Sequence, residues 1–403
     1  MKSVCILGLG YIGLPTAALT SSKGLRVIGV DINPDIVEKL SAGRVHFEEP
    51  DLDGLVAKAV RDGLLTAQLT PSQADVYIIA VPTPVTEDKK ADLSAVVNAT
   101  RSIVAYITKG SLVILESTVP PGTTEDVVRP ILEESGLRAG EDFFLAFCPE
   151  RVLPGKIVAE LVSNDRVIGG LDEASAKKAA EYYRKFVRGD LFLTNLKTAE
   201  TVKLIENSFR DVNIAFANEI SLIADELGID AWEVINLANK HPRVNILNPG
   251  PGVGGHCIAV DPWFLVEKMP EISLLITSAR KRNDSMPDHI VSKIESVVKP
   301  GARVACLGAA YKANVGDTRE SPAIEIIEKL QHKGYEVYVV DPHVASLNGE
   351  SLTTLDEALE KADCLVLLVD HSEFKSLDVG MLREKFGDDR LIDTRGMWKG
   401  KSD

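Results

Sequence analysis

A glycine- and proline-rich segment that ends in a cysteine is the part of the sequence most suggestive of chemistry. Residues 248–257 read Asn-Pro-Gly-Pro-Gly-Val-Gly-Gly-His-Cys. So many glycines and prolines do not build a core, but they allow the backbone to approach a ligand closely. We predict that the loop presents Cys257 at the start of a short helix, where the helix N-terminus favours the thiolate, so that Cys257 is a candidate nucleophile. The cysteines of apolar runs are interpreted instead as small buried side chains: Cys5, Cys306 and Cys364.

A long apolar helix supplies the next candidates. From about Thr198 to Leu227 the sequence has no proline or glycine, and its apolar residues recur at helical spacing, which predicts a largely buried helix about 45 Å long. Its apolar positions are Val202, Ile205, Phe209, Val212, Phe216 and Ile220. Lys203, Asn207 and Arg210 share one face of this helix at i, i+4 and i+7. Such a polar stripe is either a solvated face or a set of ligand-binding side chains, and a helix of this kind can also form a subunit interface.

Further candidates lie where predicted strands end. Glu150 follows an apolar run and is a candidate acid or base, although a lone loop carboxylate is more often a surface group. Thr83 and Thr118 follow two other runs, within Val-Pro-Thr-Pro and Glu-Ser-Thr-Val-Pro. Ligands of open α/β sheets bind at the carboxyl ends of the strands, so both threonines could hydrogen-bond a cofactor. Each threonine alone is also typical of an ordinary turn.

The segment 8–13 has the Gly-X-Gly-X-X-Gly pattern between a predicted strand and a predicted helix, and Asp31 closes the next strand. In this pattern the first glycine permits a tight turn, the second lets the backbone approach a pyrophosphate, and the third lets helix and strand pack closely. Asp31 can accept hydrogen bonds from ribose hydroxyls and would repel a 2′-phosphate, so we predict NAD rather than NADP. The turn residues assigned to the cofactor are Gly8, Gly10, Tyr11, Ile12 and Gly13.

Strands alternate with helices near both ends of the chain, which predicts parallel sheets covered by helices on both faces. The predicted strands are 4–7, 26–30, 77–81, 112–115, 144–147, 303–307, 336–340 and 364–369, and a second helical stretch is 232–238. The predicted fold class is α/β, with two doubly wound Rossmann-like domains joined by a central helical domain that contains the long helix. We place the domains at residues 1–195, 196–295 and 296–403.

Composition excludes several classes of protein. The formal net charge of the 403 residues is −14, which argues against a nucleic-acid-binding protein. No apolar run reaches the length of a membrane span. Five dispersed cysteines without a Cys-X-X-Cys pair are typical of a reduced cytoplasmic protein. The apolar N-terminal segment is compatible with a signal peptide, but its glycines fit the cofactor turn better. The sequence predicts no metal site.

Eight segments, in the right order, resemble the UDP-glucose/GDP-mannose dehydrogenase family over essentially the whole chain. They are GLGYIG with Asp31, VPTP, ESTVPPGT, CPERVLPG, KLIENSFRDVN, HPRVN, GPGVGGHCIAVDP and YKANVGDTRESPA. The resemblance implies an enzyme that oxidises the CH2OH group of a nucleotide sugar to a carboxylate with two NAD. It also implies an N-terminal NAD domain, a central domain that dimerises, and a C-terminal domain that helps to bind the nucleotide.

The resemblance also implies a role for individual residues. Cys257 would be the nucleophile that forms a thiohemiacetal and then a thioester. Lys203 would stabilise the oxyanion and, with Asp261 and Asn207, hold the hydrolytic water, while Glu150 would assist acid–base steps. The implied substrate contacts are Arg151, Val152, Lys203, Asn207, Arg210, His241, Arg243, Gly254, Gly255, Tyr311 and Lys312.

The resemblance implies a different kind of contact for two arginines. Arg319 would reach the NAD. In this family an arginine like Arg243 can reach into the site of the neighbouring subunit, so the predicted partner is a second copy of the chain.

The identity of the sugar is implied by resemblance alone. CPERVLPG and GGHCIAVDP differ from the NPEFLxEG and GGSCFPKD of glucose-oxidising members and resemble the branch that acts on UDP-N-acetylhexosamines. The expected UDP-sugar substrate is UDP-N-acetyl-D-mannosamine, with UDP-N-acetylglucosamine and UDP-glucose as alternatives. A two-electron hydroxyacid dehydrogenase would need neither Cys257 nor a second α/β domain. A binding protein without catalysis would have a broken set of catalytic residues.

Overall fold

The computed structural model describes residues 1–398, which form two compact units. The first consists of Met1–Glu206 with Trp263–Pro270, and the second of Asn207–Pro262 with the residues from Glu271 onward. Each unit contains a sheet flanked by helices; the sheet is parallel in the second unit and parallel except for one strand pair in the first. The predicted α/β class, with two Rossmann-like parts and helices between them in the sequence, is confirmed.

The first unit is built on an eight-stranded sheet in the order β3-β2-β1-β4-β5-β6-β7-β8. Its strands are β1 (Ser3–Leu7), β2 (Arg26–Val30), β3 (Leu65–Gln68), β4 (Val76–Ile79), β5 (Leu112–Leu115), β6 (Phe144–Phe147), β7 (Arg166–Gly170) and β8 (Leu191–Asn195). Neighbouring strands are parallel except β6 and β7. Strands β3, β7 and β8 were not predicted, because their polar residues and glycines interrupt the apolar runs.

Seven α-helices of the first unit, together with a short π-helix at Thr124–Val128 and the start of the long helix described below, flank this sheet. The seven α-helices are α1 (Gly13–Ser22), α2 (Pro34–Ser41), α3 (Leu52–Arg61), α4 (Ser94–Ile103), α5 (Arg129–Glu133), α6 (Ile157–Ser163) and α7 (Glu173–Tyr183). The central strand β1 shows why both faces need a cover: Val4 and Ile6 pack into one apolar layer, and Cys5 and Leu7 into the other. The carboxyl ends of the parallel strands are therefore held at one edge of a sheet that is buried on both sides.

The long helix α8 (Leu196–Leu227) has 32 residues, close to the predicted length. It ends before Gly228, whose positive φ of 64° terminates the helix. The prediction that its apolar positions are largely buried was wrong. Ile205, Phe209 and Phe216 are 54%, 70% and 55% exposed. Their periodicity marks a surface that this chain by itself does not cover.

The second unit has a four-stranded parallel sheet in the order β10-β9-β13-β14 and a separate hairpin of β11 and β12. Its strands are β9 (Arg303–Leu307), β10 (Glu336–Val340), β11 (Ser346–Leu347), β12 (Glu350–Ser351), β13 (Cys364–Leu367) and β14 (Leu391–Asp393). The helices after α8 are α9 (Ala231–Ala238), α10 (Asp261–Lys268), α11 (Leu274–Asp284), α12 (Met286–Val297), α13 (Pro322–His332), α14 (Leu355–Lys361) and α15 (Val379–Phe386). Cys306 and Cys364 are buried within β9 and β13, as predicted.

Within residues 1–398, no helix combines the length and the apolarity that crossing a bilayer requires.

Candidate functional site

The glycine turn after β1 has the backbone geometry that its sequence predicts. Gly8 has a φ of 89°, and a Cβ atom there would lie 2.5 Å from the carbonyl oxygen of Ala80. A Cβ atom at Gly13 would overlap the carbonyl oxygen of Gly8, so this glycine lets α1 pack closely on the strand. A Cβ atom at Gly10 would meet no atom of residues 1–398 within 4 Å. The open space at Gly10 fits the approach of a pyrophosphate, whereas Gly8 and Gly13 are required by the fold.

The other predicted cofactor residues of this turn lie beside it. The Asp31 carboxylate accepts the backbone N–H groups of Leu9 and Asn33, both at 2.9 Å, and is partly exposed. Each oxygen can accept a further hydrogen bond, as contact with a ribose requires. Tyr11 is exposed and its ring lies 4.4 Å from that of Phe47. Ile12 directly precedes α1.

Thr83 and Thr118 are joined by a hydrogen bond: the hydroxyl group of Thr83 donates to the carbonyl oxygen of Thr118 at 2.6 Å. The bond links the loops after β4 and β5, two adjacent strands at the centre of the sheet. The two threonines therefore lie at one place on the edge where open α/β sheets bind ligands. With the glycine turn and Asp31, this edge fits a dinucleotide.

We expect Gly8→Ala and Gly10→Ala to have different effects. Gly8→Ala places a side chain at positive φ against backbone and should lower the free energy of unfolding by at least about 1–3 kcal/mol. The methyl group of Gly10→Ala would contact no atom of the described residues, so the variant should fold normally but bind NAD about tenfold or more weakly, a loss of ~1.4 kcal/mol. Thermal melting and NAD titration check both. Normal NAD affinity of folded Gly10→Ala would contradict the assignment.

The loop between β6 and α6 carries three predicted site residues. Glu150 is 9% exposed, and one of its carboxylate oxygens accepts from Arg166 at 3.1 Å. Arg151 is half-buried and forms an ion pair with Glu206 at 2.5 Å. Val152 is half-buried. The buried carboxylate of Glu49 accepts the N–H groups of residues 155 and 157, which fixes the end of the loop.

The loop after β5 is fixed by Glu200 of α8. Its carboxylate is 1% exposed and accepts the N–H of Gly122 at 2.5 Å, and both the N–H and the hydroxyl of Thr124. Burial is the main cause that raises the pKa of Glu200 above its ordinary value. The segment containing Thr118 is thus tied to the helix that carries Lys203.

The polar stripe of α8 has the predicted helical spacing. Lys203 is half-buried, and no carboxylate within residues 1–398 forms an ion pair with it. One turn later, the amide of Asn207 donates to the carboxylate of Asp261 at 2.6 Å. Asp261 is 3% exposed and is the first residue of α10. Arg210 is exposed. Two of the predicted catalytic residues, Asn207 and Asp261, are therefore in direct hydrogen-bond contact.

Cys257 is exposed, in contrast to the other four cysteines, which are buried. It lies in a turn one helical turn before α10 begins. Its carbonyl oxygen accepts the N–H groups of Val260 at 3.1 Å and Asp261 at 2.8 Å. The predicted location at the start of a short helix is thus close to the observed one, with the cysteine just outside the helix.

The two glycines before the cysteine turn are required by close packing with residues 311–322. Gly255 has a φ of 79°, and a Cβ atom there would lie 2.8 Å from the Tyr311 ring. A Cβ atom at Gly254 would overlap the carbonyl oxygen of Glu320. His256 lies edge-on to Tyr311 with ring centroids 6.4 Å apart, and desolvation, followed by the positive charge of Arg319, lowers the pKa of this histidine. The predicted segment around Tyr311 is therefore packed against the cysteine loop.

The remaining predicted residues lie in exposed loops of the second unit. His241 and Arg243 are exposed, and their segment is closed into a loop by the Asn239 side chain, which bonds to the backbone N–H and C=O of residue 246. Lys312 is exposed. Arg319 is exposed and forms an ion pair with the neighbouring Asp317 at 2.6 Å.

A buried polar network supports the start of the cysteine loop. Asp211 is fully buried and pairs with Arg280, and it also accepts from the Asn283 side chain at 2.8 Å. Asn218 donates to Asn283 at 2.8 Å and accepts the N–H of Gly250, also at 2.8 Å. Burial is the main cause that raises the pKa of Asp211, and the charge of Arg280 opposes it. The network runs from α8 through α11 to the loop.

We expect Asn218→Ala to lower the free energy of unfolding by roughly 2–4 kcal/mol, because it leaves buried polar groups of Gly250 and Asn283 without their partner. Asn213→Ala on the same helix removes only a bond to the preceding turn and should cost about 0.5 kcal/mol or less. Denaturant unfolding measures both variants. Equal losses would show that the network does not support the loop.

One group of side chains, within residues 1–398, resembles a metal site: His343, His371 and Glu373. His371 accepts the N–H of Asn314 at Nδ1, and its Nε2 lies 3.0 Å from the Asp341 carboxylate, to which it donates. No lone pair of this imidazole is left for a metal. The group is better explained as a structural link between loops of the second sheet.

Several polar residues that support these loops were not predicted as site residues, although one of them, Glu116, belongs to the segment ESTVPPGT. They are Glu49, Glu116, Arg166, Tyr183, Glu200 and Arg395. Arg395 follows β14, and its guanidinium occupies the space that a side chain at Gly250 would need. Their one sequence signal is an arginine or glutamate within an apolar segment. Such a residue predicts a buried polar contact, because burial of a charged group requires partners.

Comparison with known proteins gives a consistent result along the chain. Sequence models of the UDP-glucose/GDP-mannose dehydrogenase family match in three parts: the NAD binding domain at residues 2–187, the central domain at 197–285 and the UDP binding domain at 305–400. The UDP-N-acetyl-D-mannosamine dehydrogenase of Methanocaldococcus jannaschii is 49% identical, over 98% of this chain and 92% of its own length. The NDP-N-acetyl-D-galactosaminuronic acid dehydrogenase of Ralstonia nicotianae is 48% identical, over 99% and 97%.

Solved structures agree with the sequence comparison. The UDP-D-ManNAc dehydrogenase of Pyrococcus horikoshii superposes with a TM-score of 0.91 at 42% identity, covering 99% of this chain and 96% of that one. The matched regions include the glycine turn, the long helix and the cysteine loop described above. The chain belongs to the UDP-glucose/GDP-mannose dehydrogenase family.

Proposed function

We propose that the protein is a UDP-N-acetyl-D-mannosamine 6-dehydrogenase, which oxidises the C6 hydroxymethyl group of the sugar to a carboxylate. The observation that carries the reaction type is the exposed Cys257, which lies in a glycine-built turn directly before the helix that begins with Asp261. A two-electron dehydrogenase has no use for such a thiol. The glycine turn of residues 8–13 with Asp31, Thr83 and Thr118 would hold NAD at the edge of the first sheet, where one NAD would supply a hydride acceptor for each of the two oxidations.

The residues of the chain account for the remaining chemistry. The Cys257 thiolate attacks the carbonyl carbon of the intermediate aldehyde and holds it as a thiohemiacetal. The ammonium group of Lys203 stabilises the oxyanion of each tetrahedral adduct. After the second oxidation the acyl group is a thioester, which water hydrolyses to release the acid and the thiol.

Further groups position the hydrolytic water and transfer protons. Asn207 and Asp261 are hydrogen-bonded to each other and hold the attacking water with Lys203, which lies one turn away on α8. Glu150 takes up and returns protons in the acid–base steps. Arg151, Val152 and the exposed residues Arg210, His241 and Lys312 contact the nucleotide sugar, together with Gly254, Gly255 and Tyr311. Arg319 contacts the NAD.

The choice of sugar rests on the relatives. Several that are 46–49% identical are named UDP-N-acetyl-D-mannosamine dehydrogenase, including that of Escherichia coli at 47%. A second candidate substrate is a nucleotide-linked N-acetyl-D-galactosamine derivative, because the Ralstonia relative is 48% identical over nearly the same length. The two sugars differ in configuration at C2 and C4, which a substrate panel resolves.

The test supplies excess NAD and, separately, the UDP conjugates of N-acetylmannosamine, N-acetylgalactosamine, N-acetylglucosamine and glucose. We expect the highest kcat/KM with UDP-N-acetylmannosamine. A higher value with any other sugar would overturn the substrate assignment and leave the reaction type standing. Absence of NADH with all four would overturn both.

We further propose that the protein is a homodimer formed through α8. Five apolar residues of this helix are more than half exposed and lie within about 40° of one another around its axis. They are Ile205, Phe209, Phe216, Ile223 and Leu227. A contiguous apolar stripe of this length is typical of a surface covered by another chain, and the same stripe on a second copy is complementary to it in a two-fold interface. In such a dimer, Arg243 in its exposed loop would reach the partner's site.

The double variant Phe209→Lys/Phe216→Lys is expected to be monomeric, because it places charges in the centre of the stripe. Glu226→Lys, at an exposed polar position of the same helix, is the control and should remain dimeric. Light scattering coupled to size exclusion gives the masses. A dimeric double variant would exclude α8 as the interface.

We also propose three domains for the chain and a cytoplasmic location. The division into an NAD-binding domain at 1–195, a helical domain at 196–295 and a UDP-binding domain at 296–403 assigns one binding role to each sheet. A cytoplasmic location suits an enzyme that depends on a reduced thiol and on NAD.

A further inference from the structure

A buried cluster of polar residues in the first unit surrounds and includes Glu150. It contains Glu116 directly after β5, Cys148 and Glu150 after β6, Arg166 at the start of β7 and Tyr183 at the end of α7. Every member is at most 9% exposed. The mechanism above uses only Glu150.

Arg166 is the centre of this cluster. One Nη atom donates to Glu150 at 3.1 Å, and the other lies 3.7 Å from the Cys148 sulfur. The guanidinium carbon lies 4.7 Å from the centre of the Tyr183 ring. The other oxygen of Glu150 accepts the N–H of Arg151 at 2.7 Å. The Glu150 carboxylate is thus held from two sides, and its orientation depends on Arg166.

Glu116 is a second carboxyl group near the same cation. The Tyr183 hydroxyl donates to its Oε1 at 2.6 Å, while Oε2 is buried and has no hydrogen-bond partner among the described residues. The Nε of Arg166 is also buried, with no hydrogen-bond partner in residues 1–398. One guanidinium therefore faces two carboxyl groups in the buried interior, an arrangement in which the cluster balances its charge by keeping a proton on one of them.

We propose that Arg166 is a positioning residue for Glu150, and that Glu116 is a buried acid whose ionisation competes with Glu150 for Arg166. This inference rests on the acid–base role proposed for Glu150. When Glu116 is neutral, Arg166 is committed to Glu150. When Glu116 is ionised, the guanidinium is shared between two carboxylates and Glu150 is held less firmly.

The titration of Glu116 falls in an accessible pH range. Burial raises its pKa to about 7, the positive charge of Arg166 opposes that shift and the negative charge of Glu150 adds to it. The groups that face it are Arg166, Tyr182, Tyr183, Cys148 and Glu150. Because the folded state binds this proton more tightly than the unfolded chain, stability should fall as pH rises from 4.5 to about 7.

The first test is a double-mutant cycle with Arg166→Lys and Glu150→Gln, in the full-length enzyme. Arg166→Lys keeps the charge but cannot reach Glu150 and Cys148 together. We expect it to lower kcat about 10–100-fold with little change in KM in the otherwise natural chain, and less than about threefold in the Glu150→Gln background. Arg184→Lys, on the exposed surface next to Tyr183, is the control and should leave kcat unchanged.

The second test compares Glu116→Gln with the natural chain across pH. The amide is a neutral isostere, so the ratio of its kcat to the natural kcat should be near one below pH 6 and rise above pH 7. In the natural chain the melting temperature should fall between pH 4.5 and 7, because Glu116 ionises over this range. In Glu116→Gln this fall should be absent. A constant ratio would overturn the role of Glu116.

The outcomes separate this inference from the function on which it rests. Equal fold losses for Arg166→Lys in both backgrounds would mean that Arg166 does not act through Glu150, and would overturn its positioning role. If Glu150→Gln alone retained natural kcat, the acid–base role proposed for Glu150 would be wrong, and the positioning role would fall with it. A protein that oxidises no UDP-sugar would instead contradict the proposed function.

Discussion

Replacing Cys257 with alanine is expected to abolish formation of the carboxylate, with a fall in kcat of at least about 10³-fold. Without the thiol, no covalent adduct forms, so the aldehyde cannot be carried through the second oxidation. The side chain is exposed, so the variant should melt close to the natural temperature. NADH formation and product mass measure the first effect, and thermal melting the second.

Cys364→Ala is the matched control for this prediction. Cys364 is fully buried in β13, so the variant should lose stability by about 1 kcal/mol and retain its kcat. Full production of the uronic acid by Cys257→Ala would contradict the covalent mechanism, because no other cysteine of the chain is exposed.

Lys203→Met is expected to lower kcat by about 10²–10³-fold, the usual cost of removing one group that stabilises an oxyanion. Methionine keeps much of the apolar stem of lysine and removes the charge. No ion pair with a carboxylate is lost within residues 1–398, so the fold should be affected little. Steady-state kinetics should show the effect mainly in kcat, since the oxyanion forms only during the reaction.

Lys197→Met provides the control on the same helix. Lys197 is exposed and pairs with Glu125 at 3.0 Å, an arrangement worth about 0–1 kcal/mol. Its kcat should equal that of the natural chain. A Lys203→Met variant with raised KM and natural kcat would indicate that Lys203 binds the ground state of the substrate instead of the oxyanion.

The cofactor edge could be predicted from the sequence because its geometry is local. The turn of Gly8, Gly10 and Gly13 follows from steric limits on the backbone over six residues, and Asp31 is placed by the length of one strand–helix–strand unit. The long helix was predictable for the same reason, because helical periodicity is a short-range signal.

The features that escaped prediction depend on contacts distant in sequence. Arg166, Glu116 and Tyr183 come from separate elements, and only the packing of β5, β6, β7 and α7 shows that they form one cluster. The stripe containing Phe209 and Phe216 was misassigned because periodicity shows that a face is apolar, but not whether the same chain covers it. The role of Asn218 likewise depends on its pairing with Asn283 and Gly250.

The central claim, a four-electron oxidation through Cys257, is tested most directly by stoichiometry. A limiting amount of UDP-N-acetyl-D-mannosamine is consumed with excess NAD, the NADH is counted, and the product is identified by mass. We expect two NADH for each sugar nucleotide, a uronic acid product and no free aldehyde. One NADH for each sugar, with an aldehyde as the final product, would contradict the covalent four-electron mechanism.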